Sequence, residues 1–229
     1  MKTVLLFGLV AGCFLGAFGG SPLQGAELFN GKDLTGWTAK PPKERSHWVV
    51  GKASLNPGNP SQLTVAGSGQ ELINKVAGGV DIYSLEKYGD SKIQLELMIP
   101  KGSNSGIYVM GEYEVQVFDS HGKTKLGGGD MGAIYGAAPP SVNACKAPGE
   151  WQQYEIVFRA PRLDASGKKA ANARFESVRL NGQLIQKDVE MKGPTPGGLT
   201  GQEAAAGPLM FQGDHGPVAY RNIKISAID

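Results

Sequence analysis

From residue 91 onward the chain repeats one pattern: a short run in which apolar and polar side chains alternate, closed by Gly, Asn or Pro. Ser91 to Ile99 sets Ile93, Leu95, Leu97 and Ile99 on one side and Gln94, Glu96 and Met98 on the other. Gln153 to Arg159 sets Tyr154, Ile156 and Phe158 against Glu155 and Val157. A period of two belongs to strands, and helical periodicity is almost absent. Pro100-Lys101-Gly102 turns the chain toward two further runs, Gly106 to Met110 and Glu112 to Phe118. Arg174 to Leu180 enters Asn181-Gly182 and leaves as Gln183 to Gln186, the strongest short-range hairpin signal. Leu209 to Gln212 and Val218 to Ile228 close the series. Many short strands punctuated in this way predict an all-β sandwich or jelly roll of antiparallel sheets. The 34 glycines and 14 prolines supply its turns, and a hydrophobic content of 41% supplies its core. With no repeat and no linker, residues 27–229 read as one domain.

Three stretches interrupt the strands. Ser120 to Gly129 reads as a mobile Gly- and Lys-rich loop, Asp164 to Lys169 as an exposed turn, and Pro194 to Ala206 as a long loop with a helical turn at Gln202 to Ala206. Residues 1–26 have the form of an export signal: Met1-Lys2, an apolar stretch from Val4 to Phe18, then small and polar residues up to a cleavage point near Ala26. This predicts a periplasmic or extracellular protein without a spanning segment. Val10-Ala11-Gly12-Cys13 resembles a lipobox, which would anchor the protein through Cys13, although the apolar Phe14, Leu15 and Phe18 that follow are unlike a lipoprotein tether. Removal of Cys13 with the leader leaves Cys145 unpaired, a small buried hydrophobe with no local base to activate it. A net charge of +2 leaves no electrostatic footprint for nucleic acid. Oligomeric state is not encoded in any recognisable pattern.

The run Glu112-Tyr113-Glu114-Val115-Gln116-Val117-Phe118-Asp119 interleaves carboxylates and an amide with core-forming residues. Glu114 and Gln116 share a face. Asp119 has the opposite parity and joins them only through a bulge or at the strand's end.

Ordered blocks across residues 27–229 resemble the 3-keto-disaccharide hydrolase domain family. They begin with Glu27-Leu28-Phe29-Asn30-Gly31-Lys32-Asp33-Leu34-Thr35-Gly36-Trp37 and continue through Asn104-Ser105-Gly106, Tyr113-Glu114-Val115-Gln116 and Gly132-Ala133-Ile134-Tyr135-Gly136. Pro148-Gly149-Glu150-Trp151-Gln152, Leu180-Asn181-Gly182, Gly207-Pro208-Leu209, Gln212-Gly213-Asp214-His215-Gly216 and Tyr220-Arg221-Asn222-Ile223 follow in the family's order. The resemblance implies a concanavalin A-like jelly roll with a sugar groove on its concave sheet, and chemistry on 3-keto-glycosides. A looser similarity to laminarinase-type glycosidases lies in Glu114-x-Gln116-x-x-Asp119, where an amide and a shortened carboxylate replace two members of the usual acidic set. That leaves in doubt the carboxyl spacing a double displacement needs.

A ketone at C3 acidifies the C2 hydrogen, so a base can remove it and the enolate can expel the group at C1. The reaction needs a base near C2, a donor or cation at the C3 oxygen and an acid for the leaving group. Glu114 is the candidate base, its carboxyl raised by apolar neighbours, unless it is spent in a cross-strand ion pair. His215, in the turn Gly213-Asp214-His215-Gly216, would polarise the ketone, act as acid or bind a metal, or else only satisfy its turn. Asp214 would orient it or cap the turn. Arg221 is the third catalytic candidate: its fork of donors would hold a hydroxyl or enolate oxygen, or pair with Glu114 or Asp119 and so join one site. Asn104, Gln116, Asp119, Tyr135 and Gln212 are the candidates for binding an oligosaccharide or glycoside. His121 reads as a surface histidine and His47 as structural. Trp37, Trp48 and Trp151 read as core rather than sugar platforms. No metal-ligand spacing is present and no cofactor is expected, although calcium or another divalent ion could use Asp119, Asp130 or Asp214. Gly127-Gly128-Gly129 lacks the strand-to-helix setting of a nucleotide loop.

Overall fold

The computed structural model describes residues 26–228. The export signal, its cleavage point and Cys13 therefore lie outside the described residues, apart from Ala26. The strands in chain order are β1 (Ala26–Glu27), β2 (Trp37–Ala39), β3 (Trp48–Asn56), β4 (Asn59–Asn74), β5 (Ile82–Ser84), β6 (Ser91–Met98), β7 (Asn104–Val109), β8 (Tyr113–Phe118), β9 (Gln152–Arg159), β10 (Arg162–Leu163), β11 (Lys169–Ala171), β12 (Ala173–Leu180), β13 (Gln183–Met191), β14 (Met210–Phe211) and β15 (Val218–Ala227). A single 3-10 turn, Lys43–Arg45, is the helical structure among the described residues, so Gln202 to Ala206 forms no helical turn.

Two antiparallel sheets pack as a jelly-roll sandwich. The larger runs β13-β12-β9-β6-β15-β4-β3, with β1 added along β15, and the smaller runs β2-β5-β14-β7-β8. The alternation seen in the sequence becomes the partition between core and surface. Ile93, Leu95 and Leu97 of β6, and Tyr154, Ile156 and Phe158 of β9, are buried. Val115 and Val117 of β8 join them in the core from the other sheet. Aromatic rings bridge the layers: Phe211 of β14 stacks on Tyr220 of β15 at 3.9 Å, and Tyr113 of β8 meets Phe158 of β9 at 5.2 Å. Trp37 and Trp48 extend the first stack, as the core reading requires. Trp151 packs less completely, against a second buried cluster that includes Met98 and Ala219. It is only partly buried, and the Arg221 guanidinium lies 3.9 Å from its ring.

The hairpin between β12 and β13 turns on Asn181 (φ 51) and Gly182 (φ 82), the two positive-φ residues of a tight primed turn. The longest ribbon, β3–β4, was not evident from alternation. Its β4 is largely exposed over Asn59 to Gln70, so most of that strand has no apolar face to betray it. The loop from Ser120, read as mobile, is stapled by Asp130. That carboxylate accepts from Ser120 Oγ (2.9 Å), Lys123 Nζ (2.6 Å) and the Gly127 amide (2.8 Å). Asn143 Nδ2 clamps it further by donating to the carbonyls of Ser120 and Lys123.

Candidate active site

Register decides which side chains share the site. β7 pairs with β8 without interruption, Gly106 opposite Gln116 and Tyr108 opposite Glu114. Ser105, Ile107, Val109, Tyr113, Val115 and Val117 therefore face the core, while Asn104, Gly106, Tyr108, Glu114 and Gln116 face outward from the smaller sheet. Outward is not exposed here. The segment from Gly132 to Tyr135 adds along the free edge of β8, its amides at Gly132 and Tyr135 donating to the carbonyls of Gln116 and Glu114. The loop following β13 crosses the face, with Thr195 Oγ1 accepting from the Glu114 amide (3.1 Å). What remains is a cleft of about 340 Å³ lined by Lys40, Asp81, Asn104, Tyr108, Glu114, Gln116, Tyr135, Pro196, Gly197, Gln212, Asp214 and His215.

Glu114 lies at the bottom of this cleft with 4% of its surface exposed. Burial raises its carboxyl from 4.5 to about 7, against the lowering influence of a Tyr108 hydroxyl hydrogen bond and of His215. Gly106 makes room for the carboxylate: a Cβ there would stand 2.3 Å from Glu114 Oε1. Asp81 is also buried and its carboxyl is raised by desolvation; it accepts from the Gly213 amide (3.0 Å) and faces Lys40 Nζ at 3.5 Å. The Lys40 ammonium also reaches the carbonyls of Gly197 (3.5 Å) and Gly198 (3.4 Å), tying the crossing loop to the end of β2. Burial and the Glu114 charge keep the Tyr108 phenol protonated well above its usual range.

The turn carrying His215 is fixed from beneath. Asn74 Nδ2 donates to the carbonyls of Gly213 and Gly216, both at 2.9 Å. A Cβ at Gly213 would stand 2.2 Å from the Val80 carbonyl oxygen, and one at Gly216 would stand 2.5 Å from Ser103 Oγ. Only glycine lets this turn descend far enough to present Asp214 and His215 to the cleft. His215 Nδ1 meets Asp214 Oδ1 at 2.5 Å, which orients the half-exposed imidazole. Gln116 Nε2 donates to Asn104 Oδ1 (2.8 Å), so the two amides present one joint polar edge.

The structure thus brings together Glu114, His215, Asn104, Gln116, Tyr135 and Gln212, and separates two other candidates from them. Arg221 projects from the outer face of the larger sheet, where its Nε donates to Glu96 Oε2 (2.7 Å); it pairs with neither Glu114 nor Asp119. The reason is parity: Tyr220 enters the core, so Arg221 must leave it. Asp119 meets no bulge that would turn it toward the cleft. Its carboxylate accepts from the amides of Gly102 (2.9 Å) and His121 (3.3 Å), closing the approach to β7. The glycosidase-like pairing of Glu114 with Asp119 is therefore not formed. Asp119, Asp130 and Asp214 are likewise dispersed, and no group of three or more His, Cys, Asp or Glu suited to a metal occurs among the described residues. Cys145 is partly rather than fully buried, and desolvation pushes its thiol up to about 11. His47 Nδ1 lies 3.4 Å from the Val76 carbonyl, outside the cleft lining.

The sequence pattern does not single out Lys40, Asp81 or Tyr108. Tyr108 was within reach, since it shares strand parity with Asn104 and Gly106. Lys40 and Asp81 had no local signal, because each is isolated beside a short strand whose place in the sheet only the pairing of β2 with β5 reveals.

Fold and cleft together define a protein of the jelly-roll class with a polar cleft on its smaller sheet. The chain belongs to the 3-keto-alpha-glucoside-1,2-lyase-like domain family, which matches residues 25–226. It is similar to a candidate glycosyl hydrolase of Parabacteroides distasonis ATCC 8503, with 27% identity over 89% of this chain and 84% of the other and a TM-score of 0.69. A second candidate glycosyl hydrolase of that organism shares the fold at 19% identity, covering 88% of this chain and 93% of its own, with a TM-score of 0.61. No curated relative matches the chain. No helix among the described residues is long and apolar enough to cross a membrane.

Proposed function

We propose that the cleft cleaves 3-keto-glycosides by removing the C2 proton and expelling the substituent at C1. The observation that carries this reading is Glu114: a carboxylate raised by burial to about 7 at the base of a polar cleft, under the influence of His215 and in a lining that Lys40 shares. A base with that pKa is half ionised at working pH and still strong enough to take a proton acidified by the adjacent ketone. The C2–H electron pair passes into the enolate, whose oxygen lies within the field of Lys40 and His215. Collapse of the enolate forms the C1–C2 double bond and breaks the C1–O bond. The proton held by Glu114, or one from His215, goes to the leaving oxygen. Addition of water across the new double bond then gives net hydrolysis. Lys40 takes the electrostatic role that the sequence assigns to Arg221. The joined amides of Asn104 and Gln116, with Gln212 and Tyr135, supply the donors and acceptors that sugar hydroxyls need.

The export-signal form of the sequence over residues 1–26 supports placing this activity outside the cytoplasm. The test is turnover of a 3-keto-glucoside beside its unoxidised parent, with and without chelator. The expected result is aglycone release from the keto sugar alone, lost in Glu114→Gln. Equal rates on the two sugars would overturn the proposal, and saturable binding without turnover would make the protein a binding module.

A further inference from the structure

Along the sheet, the Glu114 cleft is closed on three sides. The crossing loop forms one long wall. The Glu114 amide on β8 donates to Thr195 Oγ1, the Tyr108 hydroxyl on β7 donates to the Pro196 carbonyl (3.2 Å), and Lys40 beyond β2 reaches the carbonyls of Gly197 and Gly198. The loop therefore runs across the strands from β8 to β2, and the cleft runs beside it. The opposite wall is the turn carrying Asp214 and His215, seated so close to β7 that a Cβ at Gly216 would stand 2.9 Å from the Asn104 amide nitrogen. Asn104 and Tyr108 lie about 13 Å apart along their strand, which sets the width. The Lys40 bonds close the β2 end.

The β8 end has no such closure. Tyr135 stands one strand spacing past Glu114, about 4.8 Å, because its amide donates to the Glu114 carbonyl. It is 42% exposed, Pro196 is exposed as well, and among the described residues no hydrogen bond or ion pair joins 135–137 to 192–197. Tyr135 and Pro196 line the cleft and also a second space of about 550 Å³ that continues past them to Val189, Glu190 and Met191 of β13. Pro194 and Gly193 carry the loop wall onward, and Gly136 and Ala137 line the same space from the β8 side. The two spaces form one trench along one loop. We propose that its outer part receives the leaving half of the substrate, and that this half is an oligosaccharide of two or more rings. The assignment rests on the 3-keto-glycoside reading. With the keto sugar over Glu114, the β8 end is the direction along the sheet left to its C1 substituent. The outer part, about 550 Å³ against about 340 Å³ for the cleft, has room for more than the one ring the cleft holds. Its lining sets Tyr135, Val189, Met191 and Pro194 beside Lys192 and Glu190, a mixture suited to rings with apolar faces and hydroxyl edges.

Glucosides oxidised at C3 of the non-reducing ring test this, with a leaving half of one, two or three glucose units and the methyl glycoside as reference. The leaving oxygen has the same chemistry throughout the glucose series, so a gain with length reports contacts beyond it. In the wild type kcat/KM is expected to rise by about tenfold from one unit to two. A Cβ at Gly193 meets nothing within 4 Å, so Gly193→Trp can obstruct the trench from the loop wall, and Ala137→Trp from the β8 side. Each is expected to abolish the gain, and turnover of the methyl glycoside reports whether each variant has folded. Equal kcat/KM for one and two units in the wild type overturns the assignment, as does a gain that survives both variants. Should no keto compound turn over, the reaction fails by itself, and calorimetric binding of the unoxidised series decides the trench. Affinity that rises from one unit to two in the leaving half and is lost in the variants retains it; affinity independent of length overturns it.

Discussion

Replacing Glu114 with glutamine removes the proposed base and, at the same time, a cost that the fold bears. The carboxyl titrates at about 7 in the folded chain against an ordinary 4.5. Ionising it inside the protein is therefore harder than in the unfolded chain by about 2.5 pKa units, or about 3 kcal/mol. The sign follows from proton binding. Below about pH 4.5 both states hold the proton and Glu114 is neutral in the fold, so the group costs nothing. As pH rises from there to about 7 the unfolded state loses its proton first, and stability falls. Above about 7 the whole penalty of about 3 kcal/mol is present. The substituting amide is nearly isosteric and carries no charge, so Glu114→Gln avoids this loss. Denaturant unfolding of both proteins at pH 4.5 and pH 8.5 reads the difference. The gap between variant and wild type should widen in the variant's favour by about 3 kcal/mol, or roughly 6–12 °C in Tm for a chain of this size. Turnover should fall by about 10²–10⁴ with loss of the base, and the wild-type rate should rise through a limb near pH 7. Parallel stability curves for the two proteins would refute the burial argument, and with it the reason for choosing Glu114.

Three other substitutions separate positioning, pairing and stability. Gly106→Ala places a methyl group 2.3 Å from Glu114 Oε1 at a backbone conformation that alanine tolerates. The fold should persist by circular dichroism while kcat falls about 10²-fold through the displaced carboxylate. Arg221→Met breaks a surface pair with Glu96 and a ring contact with Trp151; stability should change by about 1 kcal/mol or less, and turnover should hold, contrary to the sequence-based role for Arg221. Asp90→Asn removes the carboxylate that accepts from the Ala160 amide, Arg159 and Arg162, an arrangement that holds the carboxyl well below its ordinary value. Its contribution is present above about pH 4 and is lost as pH falls further, so acid unfolding curves of the variant and the wild type should converge at low pH.

The alternation from Ser91 onward was enough to establish an all-β sandwich, because a period of two can bury one face only by pairing as a sheet. It also placed Glu114 and Gln116 together, since parity along one strand is a local property. Asn181-Gly182 fixed its hairpin for the same reason, its two positive φ values being a local property of the turn. The exclusion of Asp119 and Arg221 from the cleft required knowing that β7 and β8 pair without a bulge and that Tyr220 points inward. Lys40 and Asp81 entered only when β2 and β5 docked side by side, and the depth that raises the Glu114 carboxyl came from distant loops folding over it. Local pattern could say which way a side chain points. Which groups it meets there, and how much water they leave it, depend on contacts between residues far apart in the chain.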